Sequence, residues 1–445
     1  MLSPGSRLVR LLPFVGQRTG FVQQHSMIIL ADVKPGELNP LRKTLEQISE
    51  RLPNNYDLPF SNTKTVHYAA WMILPALRAY NGNKPAPARL VLETNYDGEL
   101  DAHLNDLISH CGPEFDQVYA HCCGYPPAGW VERESVLAFL KKRNQETSNQ
   151  PTAYYVALPG RTIDDIRNAI CVYAEAKRFF HANAEGRDRE AVREELVKHF
   201  RALPPERQPR RFPITQKGLG RLLAFNFIPG IPFMLLYVSL LWVPLMLIGR
   251  WFEKQEQRQL QKDRACDPTD VDANFDYLDL GQQNHLCTFS TVKPGWFRML
   301  AVRCALALGR ILTSKFFILG RLDQISTVHF LRWILIGNQI LFVGNYDGNL
   351  SSYLSDFSDQ AWGVNLLWSN TFGFPFTKFL WLAGASDLDK FETHALRHYS
   401  PAPVFYSAYR NYSMRNLVRF LEIRDELLRE MEKQPECTGE KKPNP

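Results

Sequence analysis

The chain has 445 residues, too many for one ordinary core and about right for two domains of roughly 150 residues with connecting material. Hydrophobic residues at 45% and charged residues at 22% describe a folded protein, and a mean hydropathy of −0.26 excludes a polytopic transporter. The net charge of +6 is mild, and no run of lysine and arginine interleaved with aromatics offers a nucleic-acid groove. Nucleic acid is therefore excluded as a partner, and the excess charge reads as membrane-surface charge.

Residues 1–60 read as a basic N-terminal segment and a leading helix. Arg7, Arg10 and Arg18 precede the first acid, Asp32, a bias shared by mitochondrial transit peptides and by frayed basic termini. The eight cysteines are scattered without a C-x-x-C pair, which suits a reduced compartment. His110-Cys111 and His121-Cys122-Cys123 lack the second ligand pair that a tetrahedral zinc site needs, so no metal is expected.

Four blocks then recur in the same order, which sets the architecture before any propensity argument. Residues 65–74, from Thr65-Val66-His67 to Trp71, match 327–336, from Thr327-Val328-His329 to Trp333. Residues 90–100, with Glu93, Asn95 and Asp97-Gly98, match 340–350, with Asn345 and Asp347-Gly348. Val118 to Pro126 matches Leu367 to Pro375, and Tyr155-Val156-Ala157 matches Tyr406-Ser407-Ala408. Each block opens with a run short enough for a strand. Leu100, Leu104, Leu107 and Ile108, like Leu350, Tyr353, Leu354 and Phe357, share one helical face. The spacing predicts strand, strand, helix, strand, helix, strand, helix in repeats at 61–215 and 325–432, with the helix between the third and fourth strands around Glu132–Lys142 and Leu388–His398.

A sheet with helices on one face must bury the other. The expected fold class is α+β: two ferredoxin-like repeats pairing as an intramolecular α/β barrel, plus a membrane-anchoring helical segment. The two copies resemble a family of duplicated, membrane-associated proteins carrying the signatures HFARW, SNYDG and WSNTxGFP. The resemblance is closest at His329-Phe330-Leu331-Arg332-Trp333, Asn345-Tyr346-Asp347-Gly348 and Trp368 to Pro375. In the first copy His121-Cys122 stands where that pattern has Asn-Thr. The resemblance implies a fold like that of the dye-decolourising peroxidase and chlorite dismutase superfamily.

Within residues 216–255, Leu222 to Gly249 carries no charge, more than the roughly 18 apolar residues that signal membrane residence. Arg210, Arg211, Lys217 and Arg221 precede it and Arg250, Lys254 and Arg258 follow, so both ends favour the cytoplasmic face. Pro229, Pro232 and Pro244 interrupt a helix. A monotopic hairpin dipping into one leaflet is expected, with a kinked full span as the alternative. In the linker at 256–324, Trp296 to Leu322 carries Arg298, Arg303, Arg310, Lys315 and Arg321 and no acid, which suits either the headgroup boundary or a helix packed on the sheet with solvated arginines. Residues 433–445 read as a disordered tail.

Strand alternation puts His67 and Trp71 on one face, as it does His329 and Trp333. With Asn95, Asn345 and Asn370 these are the candidate ligand-binding residues. Asp97 and Asp347 read first as helix N-caps where strand becomes helix. By resemblance they are candidate acids, together with His121. Haem is the cofactor the resemblance suggests, with His67, His121, His329 or His394 as its ligand. No H-E-x-x-H, G-x-S-x-G, P-loop or G-x-G-x-x-G is present. The expected function is a membrane-associated protein that binds membrane lipid and, between its sheets, an apolar or lipid-like small molecule or a partner. A haem-dependent, peroxidase-like oxidoreductase acting on lipid-like substrate is the alternative.

Overall fold

The computed structural model describes residues 24–50, 59–77, 85–146, 152–183, 187–212, 236, 240, 243–260, 281–315, 325, 327–359 and 361–433. Most of the 222–249 segment, with its proline cluster, lies outside the described residues, as do residues 1–23 and 434–445.

The protein is a mixed α+β structure built on two antiparallel four-stranded sheets, with a two-stranded ribbon of β8 (Thr377–Lys378) and β9 (Leu382–Ala383) beside them. Sheet 1 contains β1 (Gln24–Asp32), β3 (Arg89–Asp97), β2 (Val66–Leu74) and β10 (Val404–Ser407), in that order across the sheet. Sheet 2 contains β5 (Gln283–Thr291), β7 (Gln339–Asp347), β6 (Val328–Ile336) and β4 (Thr152–Val156). The last strand of each half is therefore exchanged: β4 completes the later sheet and β10 the earlier one. Registers correspond, with Gln24 opposite Asp97 and Gln283 opposite Asp347. Ser407 faces Tyr68 and Val156 faces Phe330 at the exchanged edges.

The central strands are buried on both faces, so their polar residues, such as Glu93, Asn95, His285 and Asn345, lie inside the protein. Outside sheet 1 pack α1 (Leu38–Glu50), α2 (Leu100–Tyr119) and α3 (Arg133–Arg143). Outside sheet 2 pack α7 (Trp296–Lys315), α8 (Leu350–Asp359), α9 (Ala361–Trp368) and α10 (Leu388–Arg397). Between the sheets Ile28, Tyr68, Met72, Val91, Phe289, Phe330, Leu341 and Phe405 form a third core. Helices α4 (Ile163–Asn183) and α11 (Met414–Lys433) join its margin, with Tyr173 and Phe420 stacked at 4.1 Å. A further helix, α5 (Arg189–Ala202), packs behind them, and α6 (Val243–Leu260) lies beside the turn that follows α9.

Three expectations are corrected. No strand pairing joins the two sheets among the described residues, so they stack rather than close as a barrel. The block from Val118 to Pro126 is not a strand: Val118 and Tyr119 end α2, where Phe115, Val118 and Tyr119 bury one helical stripe. A turn follows, with a single bridge from Cys122 to Val33. Leu367 to Pro375 does the same after α9, bridging Thr371 to Val292. Short apolar runs fit strand and helix end alike, and length decides between them. In addition, β1 and β5 lie outside the repeat bounds drawn at 61–215 and 325–432.

The exchange makes a direct prediction. After proteolytic cleavage between Phe212 and Val243, the two fragments should co-elute in gel filtration and part only in denaturant. Separation under native conditions would contradict the exchanged strands.

Candidate functional site

The polar residues of the repeated blocks converge on the space between the sheets because of a bulge. Register slips between Val66 and Tyr68, and likewise between Val328 and Phe330. A bulge turns consecutive side chains toward one face. His67 and His329 therefore join the inter-sheet side, while Trp71 packs outward on Phe60 and Phe115 and Trp333 on Phe342 and Trp368. Simple alternation, which pairs each histidine with its tryptophan, fails here for that reason.

Each histidine meets an aspartate. His67 Nε2 lies 2.9 Å from Asp97 Oδ1, and His329 Nε2 lies 2.8 Å from Asp347 Oδ1. The second carboxylate oxygen accepts a backbone N–H at the start of a distant helix: Ile163 donates to Asp97 at 2.9 Å and Met414 to Asp347 at 2.7 Å. Each aspartate thus satisfies the N-terminus of α4 or α11 rather than of the helix that follows it; Glu99, at the cap of α2, makes no side-chain cap bond. Gly98 and Gly348, at φ 84° and 82°, take the left-handed turn that lets the chain leave the strand there.

The first-half position is closed by protein groups. His67 Nδ1 contacts the Tyr409 hydroxyl at 3.1 Å. The Asn95 amide donates to Glu93 at 3.0 Å and accepts from Tyr154 at 3.1 Å. Glu93 Oε2 lies 2.9 Å from His285 Nε2 across the sheets. Arg332 pairs with Glu146 at 2.7 Å and lies over the Tyr154 ring. Burial outweighs Arg332 and pushes the Glu146 carboxyl up to about 7.

The corresponding second-half position is left open. Asn345 is 1% exposed, and neither its amide nitrogen nor its oxygen has a hydrogen-bond partner; Nδ1 of His329 and of His285 are likewise unpaired. Register explains the difference. Val343, opposite Cys287, takes the place that Glu93 holds opposite Ile28. Phe405, opposite Ala70, takes the place of Tyr154, opposite Arg332. Ala408 and Ala157 donate to the carbonyls of His67 and His329, but the residue after each is Tyr409 in one case and Leu158 in the other. A buried polar group left unpaired costs about 1–3 kcal/mol, so the protein groups around Asn345 stabilise it less than those around Asn95 do.

Among the other candidates, Asn370 caps the end of α9, donating to Leu366 O at 3.0 Å and accepting from Arg298 at 3.1 Å. His121 sits apart near the surface, on Glu37 at 2.7 Å and Thr44 at 3.3 Å. His394 is buried beside Phe374 and His398, and burial holds its pKa well below the usual value. Haem does not fit the face between the sheets, because Phe330, Phe405, Tyr68 and Leu341 fill it and His67 has both ring nitrogens engaged. Among the described residues no cluster of three or more His, Cys, Asp or Glu converges to hold a metal. The residues missed from sequence are Gln24, Gln283, His285, Tyr154 and Tyr409. Extending the repeat search upstream aligns Gln24-His25-Ser26 with Gln283-Asn284-His285 and would have found the first three.

A second feature lies on the outside. Of fourteen exposed large apolar side chains among the described residues, eleven belong to Leu236, Leu240, α6, the start of α7 and the turn at 376–382. On α6 these are Val243, Leu247, Ile248 and Trp251; on α7, Trp296 and Leu300; in the turn, Phe376, Phe379 and Leu382. The elements touch, with Phe252 stacked on Phe297 at 4.8 Å and Arg250 over the Phe379 ring at 5.7 Å. Glu253, 4% exposed, accepts from Thr377 Oγ1 and from the Phe379 and Leu380 backbone N–H groups at 2.5, 3.0 and 3.0 Å. The only non-glycine residues with positive φ among those described are Phe379, Leu380 and Ala383, all in this turn. Helix α7 packs on sheet 2 and leaves Trp296, Leu300, Arg303, Ala307 and Arg310 outward.

Comparison with protein-family models, curated proteins and solved structures found no match.

Replacing Asp97 or Asp347 by Ala should cost about 3–5 kcal/mol in urea unfolding, because a buried imidazole and a helix N–H both lose their partner. Glu146 gives a pH signature. Its folded pKa of about 7 exceeds the ordinary carboxyl value of 4.5, so the native state binds more protons across that window. The stability of the unaltered protein relative to Glu146→Gln should therefore fall as pH rises from about 4.5 to about 7. Thermal midpoints of the two proteins that run parallel over that range would show the carboxyl to be unshifted.

Proposed function

We propose that the protein is a peripheral or monotopic membrane protein, docking on membrane lipid through the apolar face built by α6, the start of α7 and the 376–382 turn. The observation that carries this reading is the concentration of exposed apolar side chains on adjoining elements, where isolated ones would need no explanation. Tryptophans 251 and 296 suit the headgroup level, and Arg250, Lys254, Arg303 and Arg310 suit anionic lipid on the cytoplasmic side. No helix among the described residues is long and apolar enough to cross a membrane. The uncharged 222–249 stretch runs directly into α6 in sequence. The strand order and register further support a tandem duplication of a ferredoxin-like unit with exchanged last strands, in keeping with the family whose signatures the second copy carries. No observation favours the peroxidase alternative.

The test is flotation with vesicles of phosphatidylcholine and phosphatidylserine. A triple change at exposed positions, Leu247→Ser, Trp251→Ser and Phe379→Ser, should weaken vesicle binding by roughly 100-fold or more, since each large apolar side chain contributes about 1.5–3 kcal/mol when buried. Equal flotation of the variant and the original protein, or no flotation of either, would overturn the reading.

A further inference from the structure

The two halves lay the same short bridge on the edge of each sheet but follow it with different chemistry. Asn144 bridges to Ile29 and the Gln145 N–H donates to Ile28 O at 2.8 Å, while Tyr399 bridges to Thr288 and the Ser400 N–H donates to Cys287 O at 2.9 Å. The next residue is Glu146 in the first case and Pro401 in the second. Glu146 reaches from the edge of sheet 1 to Arg332 in sheet 2, and the place that Arg332 holds opposite Tyr154 is held in the other copy by Ala70 opposite Phe405. The fold therefore builds this junction once without charge, so the ion pair is not something the architecture requires.

The polar version gathers more acid than base. Facing Glu146 are Arg332 from β6, Glu93 and Tyr96 from β3, Ser26 from β1 and Tyr154 from β4. His285 of β5 joins through Glu93, and His25 and the exposed Glu99 lie at the margin, where burial holds His25 below its usual value. His285 has Nε2 on Glu93 and no partner at Nδ1, so the neutral ring is the form that leaves no buried N–H unpaired. Two carboxyls then surround one guanidinium. Glu93 is held by Asn95 at 3.0 Å and His285 at 2.9 Å, whereas the ion pair of Glu146 is with Arg332 alone. If both acids ionise, a net negative charge stands between the sheets, which a dry interior resists. A proton on Glu146 restores the balance.

We infer that the Asn144–Glu146 segment is a proton-controlled latch on the edge of sheet 1, lying on β1 while Glu146 holds its proton and releasing when the carboxylate forms and moves to water. Release frees the β1 edge at Ile28 and Ile29. Burial pushes the Glu146 carboxyl up to about 7, so the shut form binds more protons than the open one, and opening becomes easier as pH rises from about 4.5 to about 7.

The experiment is amide hydrogen exchange of the full chain, followed by NMR and expressed as protection factors so that the chemical effect of pH on exchange is removed. Between about pH 5 and about pH 7.5 the Gln145 N–H should lose protection by roughly a hundredfold, and in Glu146→Gln by less than about threefold. The Ser400 N–H, which makes the same bond ahead of Pro401, is the internal control and should change far less. Equal losses at Gln145 and Ser400 would show that the carboxyl acts on global stability only and would overturn the latch. So would equal losses at Gln145 in the original protein and the variant. Should Glu146→Gln fail to fold, the carboxyl carbon resonance of Glu146 in the original protein decides: a midpoint near 7 is expected, and one in the ordinary carboxylate range removes the proton that the latch needs.

Discussion

The exchange of last strands constrains everything else in this molecule. A four-stranded sheet whose fourth strand comes from the other half cannot be completed by either half alone, so the two sheets must be stacked before either is whole. The histidine–aspartate pairs sit where each exchange returns. Asp97, at the end of β3 in sheet 1, accepts from the first turn of α4, which arrives from β4 in sheet 2; Asp347 does the reverse with α11. One carboxylate thereby joins a strand of one sheet to the helix leaving the other, and the histidine fixes the carboxylate's orientation. Helix N-termini carry unsatisfied donors and partial positive charge, so a buried carboxylate there is favoured twice.

The repeated blocks were legible because the same physical demand produced the same residues twice: an aspartate and a glycine where the strand ends, a histidine at the bulge, an apolar stripe on the following helix. Less was legible wherever the periodic rule meets a local irregularity. The bulge at His67 and His329 cannot be seen in a period-two pattern, and it reverses which residues share a face with Trp71 and Trp333. The apolar run at Val118 and Tyr119 belongs to a helix end whose partners, including Phe115 and Cys111, lie one and two turns earlier. The capping aspartates were recognisable as caps, but the helices they cap lie 66 and 67 residues downstream, a tertiary fact that local sequence does not carry.

On the outer side, the turn at 376–383 shows what is spent to display apolar groups. Three non-glycine residues with left-handed backbone cost of order 1–3 kcal/mol each, and such strain persists only where neighbours hold it. Glu253 supplies that hold with three hydrogen bonds, and Leu380, fully buried, anchors the turn against Gly249. A carboxylate buried under an otherwise apolar surface is costly unless it is satisfied, and here Arg250 lies 3.2 Å away as well. The arrangement keeps Phe376, Phe379 and Leu382 outward where a relaxed turn would let them fold in.

The two halves differ in a consistent direction. The first has its inter-sheet histidine and asparagine closed by Tyr409, Tyr154 and Glu93, so that position is part of the frame. The second keeps the same histidine, asparagine and aspartate but has apolar residues where those partners stand, and its outer helices adjoin the exposed tryptophans. Selection for stability alone would have closed both positions, because an unpaired buried amide is a cost with no structural return. The less completely bonded sheet is also the one whose covering helix α7 leaves Trp296 and Leu300 outward, so the half with the unmatched amide is the half that bears the exposed apolar face.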